Sequence, residues 1–275
     1  MFDLGLYNDI LFTFEDATGR WVAALVPLAQ SLFLLLASIE LAWTGLRFAV
    51  SGRETGILAA VEVLLRKVIY FAFCYWFIRA APAALPYVVA SFQRAGGAAS
   101  GITALHPSSF LASGAASSLS ILDGLHLSGF LTDPLGVLIA FSGVVFSMGA
   151  FSLMAASITM TLVETLLAVG ATVFLLPFAA TRWTHSLAEG ALAYVFRAAV
   201  KLFVVYLLAG TVSGLTTVWA ERLRAASFIG PVDYLTWCGC LLTLALLLWT
   251  APLRIAGSVV PPTLRFGLSP AVGDN

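Results

Sequence analysis

Long apolar runs separated by short polar stretches organise this chain. A helix needs about twenty mostly apolar residues to cross the hydrocarbon core of a bilayer. The first such run extends from Trp21 to about Val50, interrupted by Glu40 and Arg47. The second, Val68 to Ala90, carries Arg79, Pro82 and Pro86 toward its far end. From Pro134 to Thr181 the only charge is Glu164, and two more runs cover Phe196 to Ala220 and Val232 to Ala256. Apolar residues occur all round these segments, so periodicity selects no buried face. The alternating strands of a membrane barrel are missing. The pattern predicts an all-α, polytopic transmembrane bundle.

The third run is the ambiguous one. As an unbroken helix it would be about 70 Å long, over twice the hydrocarbon thickness. It is either one long element or a hairpin of two spans, giving five spans or six. Basic residues are retained on the cytoplasmic side and arbitrate between these options. With five spans and the N-terminus outside, Arg47, Arg53, Arg66, Lys67, Arg182, Arg197, Lys201, Arg254 and Arg265 fall inside. Only Arg20, Arg94, Arg222 and Arg224 fall outside, with most of the acids, including Asp9, Glu15, Asp16, Asp133 and Asp233. A hairpin would bring the bias close to parity. Five spans are favoured, with an extracytoplasmic N-terminus and a cytoplasmic C-terminus.

That reading divides the chain into an extracytoplasmic segment (1–20), two spans (21–90), an extracytoplasmic loop (91–133), the remaining spans (134–256) and a cytoplasmic tail (257–275). The loop is rich in Gly, Ala and Ser yet carries recurrent apolar residues such as Phe92, Leu105, Phe110, Leu125 and Leu127. It is expected to form short helices or a re-entrant element packed on the outer face. The stretch before the second span ends in Glu62, Arg66 and Lys67, which suits a helix on the cytoplasmic surface.

Composition agrees with the pattern. Of 275 residues 60% are hydrophobic and 10% charged, against about a quarter charged in a soluble domain. Fourteen basic residues against fourteen acidic ones leave no net charge, so whole-molecule attraction to nucleic acid is unsupported. Cys74, Cys238 and Cys240 lie in apolar stretches and form no disulfide or zinc framework. The opening is acidic where a secretory signal would be basic.

No enzyme signature is present. His106, His126 and His185 have no partners at metal-ligand spacing, and no phosphate loop occurs. No cofactor is expected. The costly residues are Glu40 and Glu164, since an acid at mid-helix costs a few kcal/mol unless it finds a partner. A proton or ion relay is one reading, but two isolated acids do not make a pathway, and polar contacts between helices or subunits are the favoured one. Lys201, Arg197 and Arg47 are expected to snorkel to the boundary. Gly210 and Gly214 have the spacing of close helix packing, and tryptophans such as Trp43 lie near span ends.

Several of these landmarks occur in order in one family. They are Ile39-Glu40-Leu41-Ala42-Trp43, Arg66-Lys67, Ser91-Phe92 through Gly96-Gly97 to His106-Pro107-Ser108, and Gly114. Leu176-Pro177-Phe178, Arg182-Trp183-Thr184, Ala188-Glu189 and Val200-Lys201-Leu202 follow. With this set the chain resembles the TrbL family of conjugal-transfer proteins, polytopic inner-membrane subunits of type IV secretion systems, over about residues 10–255. The resemblance implies a non-catalytic scaffold or channel subunit that forms a ring-like homo-oligomer in lipid. It would support stalk or pilus assembly and the passage of DNA or protein, beside stalk or pilin components and secretion ATPases. Glu40, Trp43, Arg66, Lys67, Pro107, Glu164, Pro177, Lys201, Gly210 and Gly214 are the expected structural and assembly residues. A secondary transporter is the rival class, but no convincing repeat relates the two halves.

Overall fold

A computed structural model describes residues 6–50, 57–102, 105–123, 134–225 and 231–259. Among them there are six α-helices and no strand: α1 (Leu6–Val50), α2 (Ile57–Ser100), α3 (Pro107–Asp123), α4 (Pro134–Leu175), α5 (His185–Ala225) and α6 (Pro231–Val259). A 3-10 turn, Leu176–Ala180, follows α4. Leu125, Leu127, His126, Asp133, Arg53, Arg265 and the tail beyond residue 259 lie outside the described residues.

Five helices contain segments long and apolar enough to cross a membrane: Leu6–Val50, Ala60–Ser100, Phe141–Ala180, His185–Trp219 and Leu235–Val259. The ambiguous third run is thus one helix of 42 residues, and there are five candidate spans among the described residues. Nothing inside Pro134–Leu175 interrupts its hydrogen-bond ladder. Its end coincides with Pro177, which has no N–H to continue the ladder and sits in the 3-10 turn. Hydroxyls stitch the following turn: Thr184 Oγ1 donates to the Phe178 carbonyl at 2.7 Å and lies 2.5 Å from Thr181 Oγ1.

Two helices outrun the apolar runs that announced them. α1 begins at Leu6 rather than near Trp21. Its early charges do not stop it, because Asp9 lies in the first turn, where the helix dipole favours an acid, and Asp16 pairs with Arg20 one turn on at 3.1 Å. α2 continues past Pro82 and Pro86 to Ser100. It stops at Gly101, whose φ of 75° is a left-handed conformation that glycine adopts without a Cβ clash. The chain then folds back on the helix end, since a Cβ on Gly97 would lie 2.6 Å from the Ile102 carbonyl oxygen.

Contacts divide the chain into two compact units. One comprises Met1–Phe14, Ser91–Glu164 and Val200–Ala256. Its core includes Phe110, Phe151, Met154, Ile158, Leu202, Val205, Leu241 and Leu248, all buried. A Cβ on Gly114 of α3 would meet Phe151 Cβ at 2.7 Å, so only glycine lets α3 approach α4 this closely. Trp237 of α6 donates from Nε1 to Ser147 Oγ at 3.1 Å, and Ser157 Oγ donates to the Leu248 carbonyl. The other unit comprises Glu15–Ala90, Thr165–Ala199 and Gly257–Asn275. Its core includes Ala29, Phe33, Phe71, Ile78, Val173, Val195 and Ala199. Phe33 and Phe71 meet edge to face at 6.1 Å, a preferred aromatic geometry.

Large apolar side chains also cover the outside, among them Leu34, Leu35, Leu64, Trp76, Val145, Phe146, Leu246 and Trp249. In lipid that exposure carries no penalty, and it also gives helices no hydrophobic reason to associate. Close packing and internal polar contacts therefore decide which helices meet.

Candidate functional site

Both stranded glutamates have lysine partners, each within its own unit. Glu40 lies in the last third of α1 with a side chain only 4% exposed. Lys67 of α2 donates from Nζ to Glu40 Oε1 at 2.7 Å and to Thr44 Oγ1 at 2.5 Å. Thr44, one turn after Glu40, in turn donates to the Glu40 carbonyl at 2.6 Å. A third element joins here, because Arg182, in the turn after α4, places Nε 3.4 Å from the same carboxylate oxygen. Glu40 Oε2 is buried with no hydrogen-bond partner. One carboxylate thus binds α1, α2 and the Thr181–Thr184 turn together. Tyr70, one turn after Lys67, adds a bond from its hydroxyl to the Ala179 carbonyl at 3.0 Å.

The same corner carries aromatic rings. Trp43 and Trp183 meet at 5.8 Å with their planes 66° apart, and both remain well exposed. His185 and Glu189 sit 3.5 Å apart at the start of α5.

In the other unit Lys201 Nζ of α5 donates to Glu164 Oε2 of α4. The lysine side chain is 10% exposed and the carboxylate 29%. Close backbone approach accompanies this pair along α5. A Cβ on Gly210 would fall 2.5 Å from Ser100 Cβ and 2.7 Å from the Ser100 carbonyl oxygen. One on Gly96 would fall 2.7 Å from Tyr206 Cβ.

One expectation is corrected by these contacts. Lys67 does not share a solvent-facing stripe with Glu62 and Arg66. Those two pair with each other at 3.1 Å in the open, while Lys67 is buried on Glu40. Lys201, expected to snorkel, has a local partner in Glu164. Of the two glycines at helix-packing spacing, Gly210 makes a close approach and Gly214 has nothing within 4 Å. Pro107 occupies the first turn of α3, where a missing N–H costs nothing. The adjacent Ser109 amide bonds back to the His106 carbonyl at 3.0 Å.

Arg182 and Thr44 are the site residues that sequence reasoning missed as partners of Glu40. Thr44 had a signal, since it lies four residues from a costly acid and hence on its face. Arg182 had none beyond its place in the Arg-Trp-Thr motif.

Chemically, these clusters are suited to holding helices together. The Glu40 and Glu164 pairs each tie one helix to the next. Among the described residues no group of three or more His, Cys, Asp or Glu side chains is placed to hold a metal ion.

A family model, described as TrbL/VirB6 plasmid conjugal transfer protein, matches residues 37–263. The match contains Glu40, Lys67, Glu164, Arg182 and Lys201. No curated protein matches the chain.

Proposed function

Because the chain belongs to the TrbL/VirB6 plasmid conjugal transfer family, we propose that it is an inner-membrane scaffold and channel subunit of a type IV secretion apparatus. The family match over residues 37–263 carries this reading. In it the chain is not an enzyme: it supports substrate translocation and stalk or pilus assembly without a cofactor.

The distribution of charge supports a structural role. The two acids that cost most in an apolar helix are both consumed by lysines of the same chain, so the polar atoms inside the spans serve to fix helix positions. The exterior is apolar over long stretches, which suits contact with lipid or with sister subunits in a ring-like homo-oligomer. We place the N-terminus outside and the Arg66–Lys67 and Arg182–Lys201 regions toward the cytoplasm, where secretion ATPases work. Helix α3 would then face the periplasm, on the side of the stalk or pilin components.

The test is isolation of the tagged full chain from cross-linked donor membranes. The expected product is a particle containing several copies together with other secretion subunits. A protein that is strictly monomeric after cross-linking, and that drives solute uptake when reconstituted in liposomes, would overturn the reading in favour of a transporter.

A further inference from the structure

We propose that Arg182, with Trp43 and Trp183, forms a binding site for the headgroup of an anionic phospholipid. The starting point is a charge imbalance. One carboxylate, Glu40, faces two cations, Lys67 at 2.7 Å and Arg182 at 3.4 Å. Within this contact that is one positive charge in excess, since Glu189, the corner's other acid, lies against His185 instead. An apolar surrounding offers no mobile counterions, so such an excess favours recruitment of an anion.

The opening to this cluster is at Arg182. Its side chain is 31% exposed, whereas that of Lys67 is 10% exposed. Arg182 meets Glu40 through Nε, and its terminal amines are not part of that contact. A guanidinium presents several donors in a planar fork that matches phosphate oxygens. Trp43 and Trp183 stand beside it, 42% and 65% exposed with ring centroids 5.8 Å apart. Indole rings concentrate at the headgroup level of membranes, where one edge is apolar and the other wet.

Charge complementarity selects the occupant. Arg47 is exposed and lies seven residues after Glu40, two turns along nearly the same helix face. The exposed acid near the start of α2, Glu62, is neutralised by Arg66 at 3.1 Å. The patch therefore presents cations and aromatic rings, with Glu40 buried beneath and the corner's other acid, Glu189, held against His185 at 3.5 Å. An anionic phospholipid satisfies both parts, phosphate on Arg182 and upper acyl chain against the indoles. Free phosphate would satisfy only the first.

The test is native mass spectrometry of the full chain released from bilayers containing phosphatidylglycerol and phosphatidylcholine. The wild type is expected to retain phosphatidylglycerol preferentially. Arg182→Gln should weaken that retention by about tenfold, the size of one lost charge-assisted contact, and leave phosphatidylcholine unchanged. Trp183→Ala should weaken it by a smaller factor. Arg66→Gln, which removes a more exposed arginine already paired with Glu62, should have no effect. The Gln variant keeps Glu40 paired with Lys67, and an unchanged melting temperature will show that it folds. Equal retention of both lipids by the wild type, the same loss in Arg66→Gln, or displacement of the lipid by millimolar inorganic phosphate would each overturn the proposal.

Discussion

Lys67 Nζ reaches Glu40 Oε1 at 2.7 Å, and both side chains are almost fully buried. The pair joins the end of α1 to the start of α2 at a depth where neither charge could be left alone. Removing one partner of a buried pair costs about 3–5 kcal/mol, whereas replacing both by apolar groups is often neutral. Glu40→Ala is therefore expected to cost about 3–5 kcal/mol, because Lys67 and Arg182 both lose their acid. Lys67→Met should cost less, since Arg182 still faces Glu40. The double variant Glu40→Leu/Lys67→Met should recover most of the loss. Unfolding in detergent measures all three, and a double variant as unstable as the sum of the singles would contradict the pairing.

The second pair should be softer. Glu164 is more exposed than Glu40, so loss of Lys201 leaves an acid that lipid headgroups or water reach more easily. Lys201→Met is expected to destabilise less than Glu40→Ala. A cycle with Glu164→Gln should give a coupling of about 1–2 kcal/mol, the range for residues in contact. Additive single effects would show that the contact is not formed.

Gly210 and Gly214 separate by space alone. A Cβ at 210 would meet Ser100 at 2.5 Å, part of the clash being with its backbone oxygen, while 214 is open. Gly210→Ala should cost about 1–3 kcal/mol by overpacking. Gly214→Ala should leave the isolated chain unharmed or gain up to about 1 kcal/mol in helix propensity. If Gly214→Ala also lowers the copy number of the assembled particle, that glycine lies between subunits.

Trp237 and Ser147 are buried and bonded to one another at 3.1 Å. Trp237→Phe should cost about 1–3 kcal/mol, through the lost bond and the smaller ring, while the Ser147 hydroxyl keeps its bond to the Gly143 carbonyl at 2.7 Å. Ser147→Ala in the Trp237→Phe background should add little. Tryptophan emission during unfolding follows both variants.

The membrane bundle itself was legible because lipid imposes length and apolarity on any span. The two glutamates were legible because their cost does not depend on where the neighbours lie. Their partners were not, since energy identifies a residue in need of a counter-charge without naming the helix that supplies it. Lys67 and Lys201 each had an innocent explanation at a span end. The ends of α1 and α2 lie beyond the apolar runs for a related reason: hydropathy marks where a chain can be buried, whereas helices stop where the backbone ladder fails. Asp9, Asp16 and Arg20 are compatible with a helix, and Gly101 is where α2 stops. The glycine spacing at 210 and 214 could not distinguish a filled approach from an open one, because that depends on Ser100 from another helix.

The most direct test of the central claim is conjugal transfer frequency from donor cells that lack this chain. The account predicts that transfer collapses by several orders of magnitude and is restored by the full chain. Restoration should fail with Glu40→Ala and return with Glu40→Leu/Lys67→Met, which keeps the helices together without the charges. Undiminished transfer from the deleted donor would contradict the assignment to the secretion apparatus.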